Sequence, residues 1–382
     1  MKTSTRLFSA VAALAFTCAA LAKDEIKSTP PKPAAPAKPK LEVCFVLDTT
    51  GLMGGLIEGA KQKIWSIANQ MVAAKPTPDI RIGLVGYRDR GDEYITRHYD
   101  LTNDIDAVYA NLQKFSAGGG GDTPESVNEA LNLAATKMSW SADKQVLKIV
   151  FLVGDAPPHM DYANDVKYPD VCQTAMKRDL IINTVQCGSI AETGPIWQEI
   201  AKLGEGNYAA IAQSGGMAVI ATPMDSDIAK FNRKLGETMI AYGDSSTRRS
   251  VSAKQAASEA APASVAADRL AYNSVSGVTV QGGGELLDEL AAGRVKLDSV
   301  KKDSLPEDWR KLSQSELKTT IGKKQEERAE IQKQLAKLGK DREEYIAAER
   351  RKTTAGKGDS FDEKVAVWIQ SQAARKGIQY GK

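Results

Sequence analysis

The chain has 382 residues, 42% hydrophobic and 26% charged, with a formal net charge of +3 at pH 7. That length exceeds the usual single domain of ~100–200 residues, and the apolar content is ample for a core, which excludes a wholly disordered chain. The small net charge hides a division: residues 41–243 hold 18 Lys and Arg against 25 Asp and Glu, while residues 301–382 hold 20 against 14. An acidic body and a basic tail suit mutual attraction, two different partners, or two solvated surfaces.

Residues 1–22 have the form of a secretory signal, with Lys2 and Arg6 at the start, an apolar run over 7–21, and Ala20-Leu21-Ala22 as a small-residue cleavage site. The run is shorter than the ~20 apolar residues of a membrane span, and no later stretch reads as one. The expectation is an exported protein, periplasmic or secreted, without a transmembrane segment. Residues 23–40 form a Pro/Ala/Lys linker that the prolines keep extended.

From 41 to 243 strands and helices alternate. Strands are expected at 42–48, 80–87, 146–153, 180–187 and 207–212, with a short edge strand at 95–99. Most are nearly continuous apolar runs, as in parallel strands covered on both faces. Helical patterns fill 53–73, 104–114, 124–138, 166–178, 195–203 and 226–241. The pattern predicts an α/β domain with a doubly wound, mostly parallel sheet, whose site lies at the carboxyl ends of the strands.

Residues 244–267, rich in Ser and Ala, read as a flexible connector, and 268–382 as a charged, mainly α-helical C-terminal region. Within it, 278–284 suggests a short strand and turn, 285–310 short helices, and 313–352 a long helix or hairpin. Ile321, Ile331, Leu335, Leu338 and Tyr345 approximate a heptad seam, which Lys324, Arg328 and Arg342 interrupt. Self-association through these helices is one expectation. A last amphipathic helix is expected at 359–376. Three cysteines follow the signal. Cys44 falls in a buried strand, while the spacing of Cys172 and Cys187 leaves open whether they pair.

Three segments carry the chemistry. Val43 to Met53 is an apolar strand ending in Asp48, with Thr50 beyond it and a helix directly after. Gly118-Gly119-Gly120-Gly121-Asp122-Thr123-Pro124-Glu125 is a supple loop presenting Thr123 at a helix start. Ile149 to Asp155 is a second apolar strand ending in a carboxylate. An all-oxygen cup at a sheet edge suits a hard divalent cation. The plainer reading is that Asp48, Thr50 and Thr123 cap helices.

Taken together, residues 40–243 resemble a von Willebrand factor type A domain with a metal-ion-dependent adhesion site, and the blocks around Gly86-Tyr87-Arg88-Asp89 and Gly154 to His159 resemble a bacterial exported subgroup. The resemblance implies that Thr50 and Thr123 bind Mg²⁺ (or Mn²⁺) directly, and that Asp48 and Asp155 bind it directly or through water. A partner's acidic side chain would complete the octahedron. One position departs from the pattern. Leu52 stands where the family has a third, hydroxyl-bearing ligand, so either water fills the place or the isobutyl group crowds it. The expectation is weakened, not necessarily abolished, binding.

Arg88, Asp89, Arg90 and Asp92 read as a charged loop that either gates a ligand or is a solvated turn. Of the two histidines, His98 and His159, the second is expected as an exposed loop residue, and Trp65 as core. Interleaved Glu and scarce aromatics in the tail argue against nucleic-acid binding. No G-x-S-x-G, H-E-x-x-H or Walker-type loop is present. An exported, non-enzymatic protein-interaction module leads. A Mg²⁺-dependent phosphatase is a rival, because Asp48 and Gly154-Asp155 superficially resemble the haloacid-dehalogenase-like pattern. There the general acid would have to be Thr50, whose hydroxyl is a poor acid at neutral pH. A structural envelope component without metal is the third reading.

Overall fold

A computed structural model describes residues 38–121, 123–352 and 360–381. The expected signal peptide and most of the 23–40 linker lie outside them. Strand β1 (Lys40–Asp48) is buried along all but its first residue, because both faces of the sheet are covered. After a 3-10 turn at Gly51–Met53, helix α1 (Gly54–Val72) runs until Pro76 approaches.

The remaining strands are β2 (Asp79–Tyr87), β3 (Thr96–Thr102), β4 (Leu147–Gly154), β5 (Leu180–Cys187) and β6 (Glu205–Ile211), in the spatial order β3-β2-β1-β4-β5-β6. All pairs are parallel except β2–β3. The antiparallel edge strand carries Arg97 and His98, charged and polar residues that blunt a free edge. Chain order reverses between β1 and β4, so a crevice opens where their carboxyl ends diverge.

Period-two alternation sends Val43, Phe45 and Leu47 into one core layer and Cys44 and Val46 into the other. The first layer is roofed by α1 and α2 (Ile105–Leu112). The second is roofed by α3 (Val127–Thr136), α4 (Tyr168–Lys177) and α5 (Thr193–Leu203). Trp65 is core, as expected, with its ring centroid 5.6 Å from that of Tyr272. Cys172 belongs to the second layer and Cys187 to the first, so the sheet separates them; all three cysteines among the described residues are free and buried.

The segment expected as a flexible connector is helical. α7 (Ser245–Ala260) and α8 (Ala263–Ser276) follow α6 (Asp225–Glu237), and α8 packs on α1. Composition misled here because alanine, which reads as connector beside serine, is also the best helix former. α8 buries Val265 and Tyr272 in the first core layer, and its Arg269 pairs with Asp106, Nε 2.6 Å from Oδ1 and Nη2 3.0 Å from Oδ2. Residues 278–284 form loop rather than strand, leading into α9 (Leu286–Ala291) and a short α10 (Glu307–Arg310).

Residues 314–352 form one helix, α11 (Gln314–Lys352). Its seam is covered within the chain, by α6 and α8, and the two arginines that interrupt the heptads are buried in it. Arg328 reaches Glu285 Oε2 at 2.8 Å and Asp288 Oδ1 at 3.1 Å, while Arg342 reaches Asp225 at 2.9 Å and Asp268 at 2.7 Å.

The last helix, α12 (Phe361–Ala373), returns to the sheet and completes the first core layer. Trp368 stacks on Phe151 at 6.3 Å, and Phe151 in turn on Phe45 at 5.5 Å. Asn183, an amide on a core strand, exchanges two hydrogen bonds with Gln372, at 3.1 and 2.7 Å. A buried amide needs such a partner.

Candidate functional site

β1 delivers Asp48 and β4 delivers Asp155 to the crevice at the switch point. Asp155 lies near enough for its charge to act on Asp48. Gly154 makes this approach possible, because a Cβ there would lie 2.3 Å from the Tyr87 hydroxyl and 2.9 Å from Asp48 Cβ. Asp48 is fully buried, and its Oδ1 accepts from the backbone N–H of Thr50 at 2.8 Å and from Thr50 Oγ1 at 2.7 Å. Asp48 Oδ2 is buried without a hydrogen-bond partner among the described residues. Burial first, and then the charge of Asp155, push the Asp48 carboxyl up to about 7 despite the Thr50 bonds.

The glycine loop folds back over β1. Gly118 N–H donates to Thr49 O at 3.1 Å and Gly51 N–H to Gly119 O at 3.3 Å. Gly119 and Gly120 both have positive φ, and a Cβ on Gly120 would meet Thr50 Cβ at 2.9 Å. The loop needs glycine to come this close.

Of the four residues predicted for the site, the structure brings Asp48, Thr50 and Asp155 together. Thr123 is exposed, and its hydroxyl makes no hydrogen bond among the described residues. The side chain that turns inward from this loop is Glu125, 3% exposed, with Oε2 unpartnered among the described residues. Burial, followed by the charges of Asp48, Asp89, Asp92 and Asp155, pushes Glu125 up to about 9. Gln213, after β6, donates to Asp155 Oδ2 at 2.8 Å. Sequence reasoning missed both. Glu125 sits two residues beyond Thr123 in a segment already suspect, whereas nothing local marks Gln213.

Of the residues read as caps, Thr50 makes no side-chain capping bond to the 3-10 turn, while Asp48 takes the N–H of Thr50 just before that turn. Leu52 does not crowd the cup. It is 73% exposed, with its side chain directed to solvent at the lip.

The charged loop after β2 is no solvated turn. Arg88 is buried, donating through Nε to Thr49 O at 3.1 Å and through Nη2 to Ser116 O at 2.8 Å, and so pins the cup's backbone. Asp89, also buried, accepts from Ser126 Oγ and the Tyr162 hydroxyl, both at 2.8 Å. His159, expected to be exposed, is buried; it stacks on Tyr162 at 4.0 Å and lies 2.7 Å from Asp161. Backbone bonds from Glu125 N–H to Pro157 O at 2.9 Å and from His159 N–H to Glu125 O at 3.0 Å tie the two loops together.

The donor set is all oxygen, with one orphaned acceptor each on Asp48 and Glu125, and fits a hard cation in kind. No three acidic, His or Cys side chains among the described residues are drawn into a ready-made cage.

Residues 42–223 match the family model of the von Willebrand factor A domain. These residues form a von Willebrand factor A domain. Chain segments also match an ariadne-like RING finger protein of Acanthamoeba polyphaga mimivirus (25% identical over 158 residues, 37% of this chain and 15% of that protein). Another match is von Willebrand factor A domain-containing protein 7 of Mus musculus (34% over 120 residues, 31% and 12%). The chain thus spans only 12–15% of the length of these curated relatives. Among solved structures, the SpRpn10 VWA domain aligns with 47% of this chain and 98% of its own at 15% identity and a TM-score of 0.35.

Proposed function

We propose that the chain is an exported protein-interaction module that docks a protein partner on the carboxyl edge of its sheet, with a divalent cation such as Mg²⁺ held weakly in the cup. The observation that carries this is the Asp48–Asp155 pair at the switch point, with Asp48 Oδ2 buried and unpartnered. An uncompensated buried acceptor costs free energy that a cation would offset. Asp48 and Asp155 would hold the ion and Thr50 would lend its hydroxyl. The ion would supply a positive centre for an oxygen of the partner. Leu52, offering an exposed apolar side chain in place of an oxygen, suits a contact residue at the rim.

The reading gives the protein no catalytic step of its own. Thr50 Oγ1 donates to Asp48 and is not positioned as a leaving-group acid. Turnover of an aryl phosphate with Mg²⁺, abolished by Asp48→Asn, would instead favour the phosphatase reading.

The test is retention of partner proteins from envelope extract on the immobilised chain, with magnesium or with chelator, beside Asp48→Ala. Binding lost in chelator and in the variant is expected. A bound set indifferent to both refutes the cation-bridged interaction.

A further inference from the structure

We infer that the gap under the long helix α11 is a binding site for an uncharged, largely apolar small molecule. Between α6, α8, α9 and α11 the chain leaves a cavity of about 710 Å³. Protein interiors pack so closely that voids larger than a water molecule are few. This one falls within the ~300–1,000 Å³ range of small-molecule sites. Buried Ile228, Leu235, Leu270 and Leu287 line it, and Val275, also in its lining, is 55% exposed and gives it an apolar mouth.

The packing of α11 explains why the gap stays open. Arg328 ties the helix to Glu285 and Asp288, and Arg342 ties it to Asp225 and Asp268. Both arginines line the cavity, fourteen residues apart in the chain, which is ~21 Å along a helix. Two of the lining residues between these anchors, Ala336 and Gly339, are too short to fill the space, as are Ala267 and Ala271 on α8. A Cβ added to Gly339 would meet no atom within 4 Å. Glycine is unfavourable in a helix interior, and here its small size admits no neighbour.

The charges around the cavity decide the ligand's class. Arg328 gives Nε to Thr238 Oγ1, Nη1 to Glu285 and Asp288, and Nη2 to Glu285 and Thr238 O. Arg342 gives Nε to Asp225, Nη1 to Asp268 and Nη2 to Ser264 O. An anionic ligand drawing on either arginine would leave buried carboxylates uncompensated. Asp288 is held in the same pairs, so a cation finds no spare buried acid there. Lys340 and Glu343, the other charged lining residues, are exposed and opposite in sign. Exposed Gln325 and Gln332 also line the cavity, and their amides offer donor and acceptor alike to a neutral hydroxyl, carbonyl or amide.

The experiment titrates the full chain with Nile red, an uncharged apolar dye, and competes it with 1-decanol, decanoate and decylammonium. Gly339→Leu and Ala336→Phe, made singly, fill the gap, and melting curves check that each folds. Leucine is the better helix former, so Gly339→Leu keeps the helix. Each variant should weaken dye binding at least about tenfold, the equivalent of one lost leucine-sized contact. Ala110→Leu, in the separate cavity of about 240 Å³ beside Trp65, should leave it unchanged. Decanol should displace the dye better than either charged competitor. A wild type without saturable dye binding, filled variants that bind as it does, or a loss confined to Ala110→Leu overturns the site. Stronger displacement by decanoate or decylammonium overturns the uncharged class. A wild-type dimer in sedimentation that Gly339→Leu turns into a monomer makes the gap a self-interface and overturns the proposal.

Discussion

Replacing Phe361 by alanine asks whether the last helix is an appendage or part of the domain's core. The ring is 1% exposed and sits among Phe45, Leu47, Ile64, Ile67, Leu84 and Leu112, contributed by two strands and two helices. Its centroid lies 6.0 Å from that of Phe45, at a 67° edge-on angle. Truncation removes the transfer free energy of the ring and leaves a cavity that four elements cannot easily close, a combination that costs about 3–5 kcal/mol in well-packed cores. Next to it, Lys63 and Asp362 form a buried pair at 3.5 Å that a shifted helix would also break, so the upper end of that range is expected. The assay is urea unfolding followed by circular dichroism, with linear extrapolation. Val367→Ala, on the exposed side of the same helix at 57% exposure, is the control and should stay within about 0.5 kcal/mol. A loss below about 1 kcal/mol for Phe361→Ala would mean that α12 does not complete the core, and the reasoning would fail.

Other perturbations test separate parts of the structure. Gly154→Ala forces a Cβ against the Tyr87 hydroxyl and Asp48, and should weaken Mn²⁺ affinity at least about tenfold; unchanged affinity would argue against the crevice geometry. Arg328→Met strands Glu285 and Asp288 in the interior and should cost about 3–5 kcal/mol in the same urea assay, whereas a neutral result would show the pair is dispensable. The folded-state values of Glu125 and Asp48, about 9 and about 7, exceed unfolded values of ~4.3 and ~3.9. Their contribution in chelator is therefore fully present below about pH 4 and is lost as pH rises through 7 to 9. Urea midpoints should fall between about pH 5 and pH 9 more steeply for wild type than for Glu125→Gln; parallel curves would contradict this. A reductant should leave the melting temperature unchanged, because Cys172 and Cys187 lie in opposite core layers; a drop would reveal a bridge.

The strand and helix pattern between 41 and 243 was written in local periodicity. Both-face burial turns a parallel strand into a plain apolar run, and the helices between carry their own 3.6-residue spacing. Asp48 and Asp155 were legible for the same reason, since a carboxylate that ends an apolar run has one place to be, at the strand's carboxyl edge. Thr50 followed from its spacing to Asp48. What the sequence could not decide depends on contacts between residues far apart in the chain. Glu125 and Thr123 are two positions apart, and only the packing of the glycine loop on β1 and on the loop after β4 determines that the acid turns inward. Gln213 reaches Asp155 across 58 residues, and Gln372 reaches Asn183 across 189. The buried arginines of α11 look like breaks in a seam until Glu285, Asp288, Asp225 and Asp268 are brought opposite them. Local propensity is encoded residue by residue, whereas the partner of a buried charge or amide is set by tertiary folding.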